Sequence, residues 1–209
     1  MQVFNKTSIK NTFAHTWYLY PVAIALVSVI WIWSFNVYHQ PTTHQKLNLF
    51  FSTEIHNESF LNDIKNDHYE REKLREVTPS YALPTSVGYY SKLQVALSNS
   101  DLLILDETTL AGFEHQYETS FVKINDYIKN NYLNNDYTFY KFNEEDYAVL
   151  IKEKETTHYL SSYMTFDESQ NYYLVLSSSS KNLGPVLDEG NAYYDNALTY
   201  TTYLLTGDL

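Results

Sequence analysis

A stretch of 35 residues without a charged side chain, between Lys10 and Lys46, constrains this chain most. Within it, a helix over the 20 residues from Tyr18 to Val37 would extend roughly 30 Å, the thickness of the hydrocarbon core of a bilayer. Aromatic side chains that suit the two membrane interfaces stand near both ends: Trp17, Tyr18 and Tyr20 at one, Trp31 and Trp33 at the other. We therefore predict a transmembrane helix over residues 15–38.

Two other interpretations of this apolar stretch are a cleaved signal peptide and a buried core helix. A signal peptide usually has a shorter apolar region that ends in a small-x-small site, which residues 34–38 do not offer. A helix that packs against the core of a globular protein would carry a polar stripe along one side, and this stretch has none. A retained membrane anchor fits the sequence better than either.

The distribution of charge predicts how the chain is oriented. Lys6 and Lys10 precede the predicted span, and no acidic residue occurs before position 46, so the positive-inside rule places a tail of residues 1–14 in the cytoplasm. A polar linker, residues 39–45, would then connect the anchor to an extracytoplasmic domain formed by residues 46–209. The expected location is the cell membrane, with a single pass and the main domain extracellular.

The predicted outer domain is strongly acidic. It holds 12 basic and all 25 acidic residues, a net charge of −13, which repels nucleic acids and anionic lipid headgroups. Expected partners are the membrane itself, a permease or other membrane and surface proteins, and cationic or neutral small molecules. The chain has no cysteine, uses Lys more often than Arg, and is rich in Asn and Tyr. This composition suits an exported domain of a Gram-positive bacterium.

The pattern of elements in residues 46–106 predicts an α/β fold. Apolar runs over residues 47–53, 80–83 and 102–105 are typical of strands, the last of them a buried central parallel strand. Between them we predict one helix capped by Asn57 or Ser59 and a second capped by Ser86, with Val87, Tyr90, Leu93 and Leu97 on its apolar side.

The second half of the predicted domain reads mostly as strands. A helix capped by Ser120 precedes four β-like runs, over residues 137–142, 146–151, 159–166 and 172–178, with residues 168–171 as a hairpin loop between the last two. A closing helix is expected from about Ala192 to Leu205, with Tyr193, Ala197, Tyr200 and Leu204 on one side. The predicted fold is a compact α/β domain with a mixed sheet, preceded by one transmembrane helix.

Three segments of the predicted domain resemble extracellular solute-binding proteins of bacterial ABC importers. Residues 92–106 are similar to the segment in which a helix, a small turn and an Asp lead into a buried strand, and residues 172–184 resemble a late strand that ends in a polar Lys-Asn-x-Gly-like turn. The helix at residues 195–205 resembles the one that closes such domains. The resemblance implies a periplasmic-binding-like fold, shortened to one lobe or a much reduced pair, because only 164 residues follow position 45.

Polar residues that follow the predicted strands are the candidate ligand-binding residues. In an open α/β sheet, ligands collect beyond the carboxyl ends of the strands, which here places Ser52, Thr53 and Glu54 opposite Asp106 and Glu107. The two carboxylates could bind a cationic or hydroxyl-rich ligand. A helix cap formed by Asp106 is a simpler interpretation of that residue, and both remain open.

Motifs for cofactors, metals or catalysis are weak in this sequence. Glu54-x-His56-x-Glu58 carries three metal-capable side chains, but alternate residues share a face only on a strand and Asn57 favours a loop. There is neither a glycine-rich phosphate loop nor a Gly-x-Ser-x-Gly elbow. We predict no cofactor, no metal and no catalytic residue.

Three classes of function follow from these expectations. The resemblance implies a membrane-anchored, solute-binding-like or accessory component of an ABC transport system. The alternative is a structural or interaction subunit of a membrane-bound surface complex that does not bind a ligand. An enzyme acting on cell-wall material is a third class, which would need two carboxylates at a fixed separation in a cleft; the predicted protein is not an enzyme.

Overall fold

The computed structural model describes residues 16–71, 74–133, 137–186 and 194–207, and in the first range the side chains as far as Asn66. The chain divides into two compact units, Met1–Gln40 and Pro41–Leu209. The described part of the first unit is dominated by helix α1, Leu19–His39, which buries none of its side chains within the protein. This helix is long and apolar enough to cross a membrane. Pro21 lies in its first turn, where the missing N–H breaks no helical hydrogen bond.

The second unit is built on a mixed six-stranded sheet with the strand order β3-β1-β4-β8-β6-β5. Strand β1 is parallel to both β3 and β4, whereas β8 is antiparallel to its neighbours β4 and β6, and β5 is antiparallel to β6. Strands β2 and β7 form a separate antiparallel pair. The strands are β1 Lys46–Phe51, β2 Glu54–Ile55, β3 Glu76–Tyr81, β4 Leu102–Asp106, β5 Phe139–Phe142, β6 Glu145–Lys152, β7 Met164–Thr165 and β8 Tyr172–Leu176. The prediction of an α/β domain with a mixed sheet is confirmed.

Helices cover both faces of this sheet, so its strands are buried on both sides. Phe51 and Ile104 point into a core shared with α2, α6 and α7, while Phe50 and Leu103 point into a second core shared with α3, α4 and α5. Burial on both faces explains why β4 reads as a continuous apolar run rather than as an alternating one. The helices are α2 Phe60–Arg71, α3 Tyr89–Asn99, α4 Glu107–Ala111, α5 Tyr117–Ser120, α6 Asp126–Tyr132 and α7 Asn196–Thr206.

The predicted start of α3 is wrong. Ser86 does not cap the helix; its hydroxyl donates to the Leu83 carbonyl at 2.6 Å, and the helix begins three residues later, after Gly88. Gly88 has a φ of 83°, a left-handed conformation that turns the chain before the helix begins. As a result Tyr89, rather than Tyr90, faces the core, and both Val87 and Tyr90 are exposed.

Two further predictions in the second half are wrong for local reasons. Ser120 ends α5 instead of capping a helix, and Asn125 caps α6 by accepting a hydrogen bond from the Ile128 N–H at 3.0 Å. The run 159–166 forms a 3₁₀ turn, Tyr159–Ser162, and only the two-residue strand β7. Residues 168–171 therefore connect β7 to a strand of the other sheet and are not a hairpin loop.

The closing helix α7 covers much of the predicted range. It begins at Asn196, and Ala197, Tyr200 and Leu204 are buried as expected, while Ala192 and Tyr193 lie outside the described residues. His158 connects the 3₁₀ turn to the end of α7: its Nδ1 accepts from the Leu160 N–H at 3.3 Å, and its Nε2 lies 2.8 Å from the Leu205 carbonyl. The imidazole is therefore held in its neutral form, with the proton on Nε2.

This arrangement predicts a loss of stability at mildly acidic pH. Burial, together with the charge of Lys152, lowers the pKa of His158 below its ordinary value of 6.5, so the unfolded state binds a proton first as the pH falls. The His158 contribution to stability is present above pH 6.5 and is lost below it, by at most about 1.4 kcal/mol per pH unit. Urea unfolding of the full chain in mild detergent at pH 7.5 and 5.5, compared with His158→Asn, measures this. An equal pH dependence in both proteins would contradict it.

Candidate functional site

A crevice of about 490 Å³ opens where β1 and β4 end. Strand β1 lies between β3 and β4 in the sheet, so the chain crosses to one side of β1 to form β3 and then to its other side to form β4. The carboxyl edge of β1 and β4 is therefore a topological switch point, the position at which open α/β sheets bind ligands. Four segments supply the lining: the one after β1, the one from β3 into the start of α3, the one from the end of β4 into α4, and the one around β7 and β8. The lining residues are Ser52, Thr53, Leu83, Pro84, Thr85, Tyr89, Tyr90, Asp106, Thr108, Thr109, Thr165, Phe166, Asp167, Gln170 and Tyr172.

Ser52 and Thr53 lie in this lining and are each 1% exposed. The Ser52 N–H donates to the Ile104 carbonyl at 2.8 Å, and its hydroxyl oxygen accepts from the Asp106 N–H at 2.9 Å. The Thr53 hydroxyl donates to the Thr165 carbonyl. These bonds join the end of β1 to β4 on one side and to β7 on the other, which fixes the shape of the crevice.

Asp106 caps α4, as the simpler of the two interpretations predicts, and it also lines the crevice. Its Oδ1 accepts from the Thr109 N–H at 2.9 Å and its Oδ2 from the Thr109 hydroxyl at 2.7 Å. The Thr109 hydroxyl oxygen lies 3.0 Å from the Tyr89 hydroxyl, which therefore donates to it. Burial raises the pKa of Tyr89, so this relay of hydroxyl groups keeps its protons at any physiological pH. Asp106 is 4% exposed.

Glu54 and Glu107 are outside the crevice lining. Glu54 is an exposed residue of β2, paired with Thr165. The Glu107 carboxylate accepts from the Asn171 Nδ2 at 2.8 Å, and its N–H donates to the Asn171 carbonyl at 2.9 Å. The structure thus brings Ser52, Thr53 and Asp106 together in one cavity and uses the other two residues elsewhere.

Sequence reasoning missed the wall that residues 165–172 supply. The Tyr172 hydroxyl accepts from the Asp167 N–H at 3.0 Å, which fixes the loop against the start of β8. Hydrogen bonds from the hydroxyl and N–H of Ser169 lower the pKa of the Asp167 carboxyl, which therefore stays ionised. This loop reaches the crevice because β7 pairs with β2, a contact between two-residue strands that leaves no readable pattern in the sequence.

The remaining candidate residues are not part of the crevice lining. Among residues 16–66, 74–133, 137–186 and 194–207, no three His, Asp or Glu side chains gather as metal ligands would, and the His56 Nε2 instead lies 3.2 Å from the Ser162 carbonyl. The aromatic residues predicted to mark the membrane interfaces are 49–71% exposed on or just before α1: Trp17, Tyr18, Tyr20, Trp31 and Trp33.

A second cavity, of about 580 Å³, lies between α3 and the edge strand β3. Val95 and Tyr81, which are 61% and 45% exposed, stand in its lining. Val87, just before α3, and Tyr90, in its first turn, are exposed as well, and we call these four exposed apolar residues around α3 the α3 face. The sequence predicted Val87 and Tyr90 as core, so it gave no sign of this surface.

Comparison of the chain with models of protein families, with characterised proteins and with solved structures finds no match in any of the three.

Proposed function

We propose that this chain is a membrane-anchored, solute-binding-like component of a bacterial ABC transport system, with its N-terminus in the cytoplasm and its α/β domain outside. In this proposal the domain has a shortened periplasmic-binding-like fold, and it captures a small molecule close to a permease. It acts by binding and has no catalytic residue.

One observation carries the proposal: a cavity of molecular size at the switch point of the sheet. Its volume of about 490 Å³ is within the usual range for sites that hold small molecules. The cavity has an ordered polar base, because the Ser52 hydroxyl oxygen, the Asp106 carboxylate and the Thr109 hydroxyl are hydrogen-bonded to one another or to the backbone. A preformed base of this kind lowers the entropic cost of ordering the site when a ligand binds.

The anchor supports a role at the membrane. Helix α1 buries none of its side chains, most of which are apolar or aromatic, and burying such a surface in lipid is favourable. Only seven residues, 39–45, separate the predicted span from residue 46, a distance of at most about 25 Å. A domain tethered so closely meets other membrane proteins far more often than a free one would.

A single experiment tests both the orientation and the partner. The chain has no cysteine, so Val87→Cys, at a fully exposed position beside the crevice mouth, introduces one thiol. A membrane-impermeant maleimide that carries a photo-reactive group is added to intact cells that express the chain naturally, and cross-linked products are identified by mass spectrometry. We expect labelling at position 87 and a cross-link to a permease subunit.

The matched control is Ser8→Cys in the predicted cytoplasmic tail, which should react only after the cells are opened. Labelling of position 8 but not of position 87 in intact cells would overturn the proposed orientation. Cross-links from position 87 only to other surface proteins, or only to further copies of this chain, would overturn the transport role.

The α3 face favours a second candidate function, an interaction subunit of a membrane-bound surface complex. Tyr81 and Val95 line the same cavity and are 45% and 61% exposed, and exposed apolar side chains that lie together mark protein contacts more often than isolated ones do. In this case the same cross-linking experiment gives surface-protein adducts, and Val95→Glu abolishes the association without changing the fold.

A further inference from the structure

The charges that line the crevice are all negative. Asp106 and Asp167 are the acidic side chains of the lining, and the described lining contains neither Lys nor Arg. The nearby Lys152 is buried behind the wall, where its Nζ donates to the Glu153 carbonyl at 3.2 Å and lies 5.9 Å from the centre of the Phe166 ring. The side of the crevice that a ligand would meet therefore attracts cations and repels anions.

Three hydroxyl groups near Asp106 have already committed their protons. Thr109 donates to Asp106, Tyr89 donates to Thr109, and the Thr108 hydroxyl donates to the Gln170 Oε1 at 3.1 Å. What remains available near the base is mainly acceptor capacity on the Asp106 carboxylate, since a carboxylate offers about four acceptor positions. An ammonium ion needs acceptors alone, so the Asp106 carboxylate suits it, while the Tyr172 hydroxyl keeps a proton for a second polar group on the ligand.

Aromatic rings complete the surroundings. Tyr90 is 76% exposed at the mouth and packs edge-on against Tyr89, with 5.6 Å between the ring centres. Tyr172 lies deeper in the wall, 4.7 Å from the Phe166 ring. The faces of such rings attract a cation within about 6 Å, and the apolar ring surface also contacts the alkyl part of an organic cation favourably.

We propose that the crevice binds a small organic ammonium ion, with its charge beside the Asp106 carboxylate and its alkyl part against Tyr90. The inference rests on the proposed ligand-binding function and narrows its ligand class. The Tyr172 hydroxyl, which accepts from the Asp167 N–H, keeps its proton for a hydroxyl oxygen on the same ligand. An amino alcohol combines both features.

The test uses the full chain in lipid nanodiscs and isothermal titration calorimetry. The probes are choline, ethanolamine and putrescine, compared with 3,3-dimethylbutan-1-ol, which has the shape of choline without its charge, and with glucose as a neutral polyol. We expect at least one of the three cations to bind at least about tenfold more tightly than both neutral probes. Equal or weaker binding of all three cations overturns the ammonium assignment.

Two substitutions locate the binding in the crevice. Asp106→Asn keeps the cap on the Thr109 N–H, because Asn caps a helix as well as Asp does, and removes the charge together with the acceptor for the Thr109 hydroxyl; we expect about a tenfold loss of cation affinity. Tyr90→Ala changes an exposed side chain and should weaken binding about fivefold. The control Tyr127→Ala removes another exposed tyrosine, one outside the lining, and should change nothing. Unchanged affinity in both crevice variants overturns the proposal.

The outcomes separate this inference from the function on which it rests. One outcome is that glucose binds, that Asp106→Asn and Tyr90→Ala weaken glucose binding, and that the cations do not bind. The ammonium assignment then fails, and the crevice remains a ligand-binding site. If no probe binds and a wider set of metabolites also leaves the thermal unfolding temperature of the chain unchanged, the ligand-binding function fails as well.

Discussion

Replacing Asp101 with alanine lowers the free energy of unfolding by about 3–5 kcal/mol, because it leaves several buried donors without an acceptor. Asp101 is 5% exposed, at the amino end of β4. Its Oδ2 accepts from the Asn48 N–H at 2.8 Å, and its Oδ1 accepts from the Ser180 hydroxyl at 2.6 Å and from the Asn182 Nδ2 at 3.0 Å. Burial raises the pKa of the carboxyl, and these hydrogen bonds oppose that rise.

Urea unfolding of the full chain in mild detergent, followed by far-ultraviolet circular dichroism, measures the effect. All three tryptophans lie at positions 17, 31 and 33, so tryptophan fluorescence would not report on the α/β domain. Asp101→Asn should give an intermediate loss, since an amide offers one oxygen and turns its NH₂ group towards a donor. Asp126→Ala, an exposed carboxylate in the first turn of α6, serves as the control and should cost less than about 1 kcal/mol. An Asp101→Ala variant as stable as this control would contradict the prediction.

This buried network lies at the opposite end of β1 and β4 from the crevice. The Asp101 N–H donates to the Asn48 carbonyl, its carbonyl accepts from the Ser177 N–H, and the Asn182 Nδ2 also donates to the Lys46 carbonyl. One end of the central strands is thus held together by these hydrogen bonds, although the buried Asn182 Oδ1 accepts none, and the other end carries the cavity. Variants at the crevice can therefore change binding while the network continues to hold the sheet together.

The sequence predicted the middle of the sheet and part of the site for the same physical reason. A run such as residues 102–105 has few alternatives to a strand buried on both faces, and side chains that follow parallel strands come together at one edge. Ser52 and Thr53 after β1 and Asp106 at the end of β4 accordingly meet in one cavity. The orientation of the chain in the membrane, the ligand and the partner stay predictions.

What the sequence could not indicate depends on contacts between distant residues. Glu107 has a partner in Asn171, which lies 64 positions further along the chain, so no local pattern shows that its carboxylate is already used. The start of α3 moved because Gly88 adopts a left-handed conformation, and that choice exposes Val87 and Tyr90 instead of burying them. The shift adds Val87 and Tyr90 to the α3 face, and Tyr90 is also the ring at the mouth of the crevice.

Phe51→Ala is expected to destabilise the domain by about 3–5 kcal/mol, because it leaves a cavity under the base of the crevice. Phe51 is 0% exposed at the end of β1, and its ring packs edge-on against Phe60 of α2 with 5.9 Å between the ring centres. Ser52 follows it directly, so relaxation of β1 into the cavity should also displace the Ser52 hydroxyl from the Asp106 N–H. Ligand affinity should therefore fall together with stability in this variant.

The same urea titration compares Phe51→Ala with Tyr81→Ala, the residue that pairs with Phe51 on the edge strand β3. Tyr81 is 45% exposed, and its removal should cost less than about 1 kcal/mol. Phe51→Leu, which refills most of the volume, should recover more than half of the loss. If Phe51→Ala and Tyr81→Ala were equally stable, the core on the α2 side of the sheet would not be packed as described, and the crevice base built on it would lose its support.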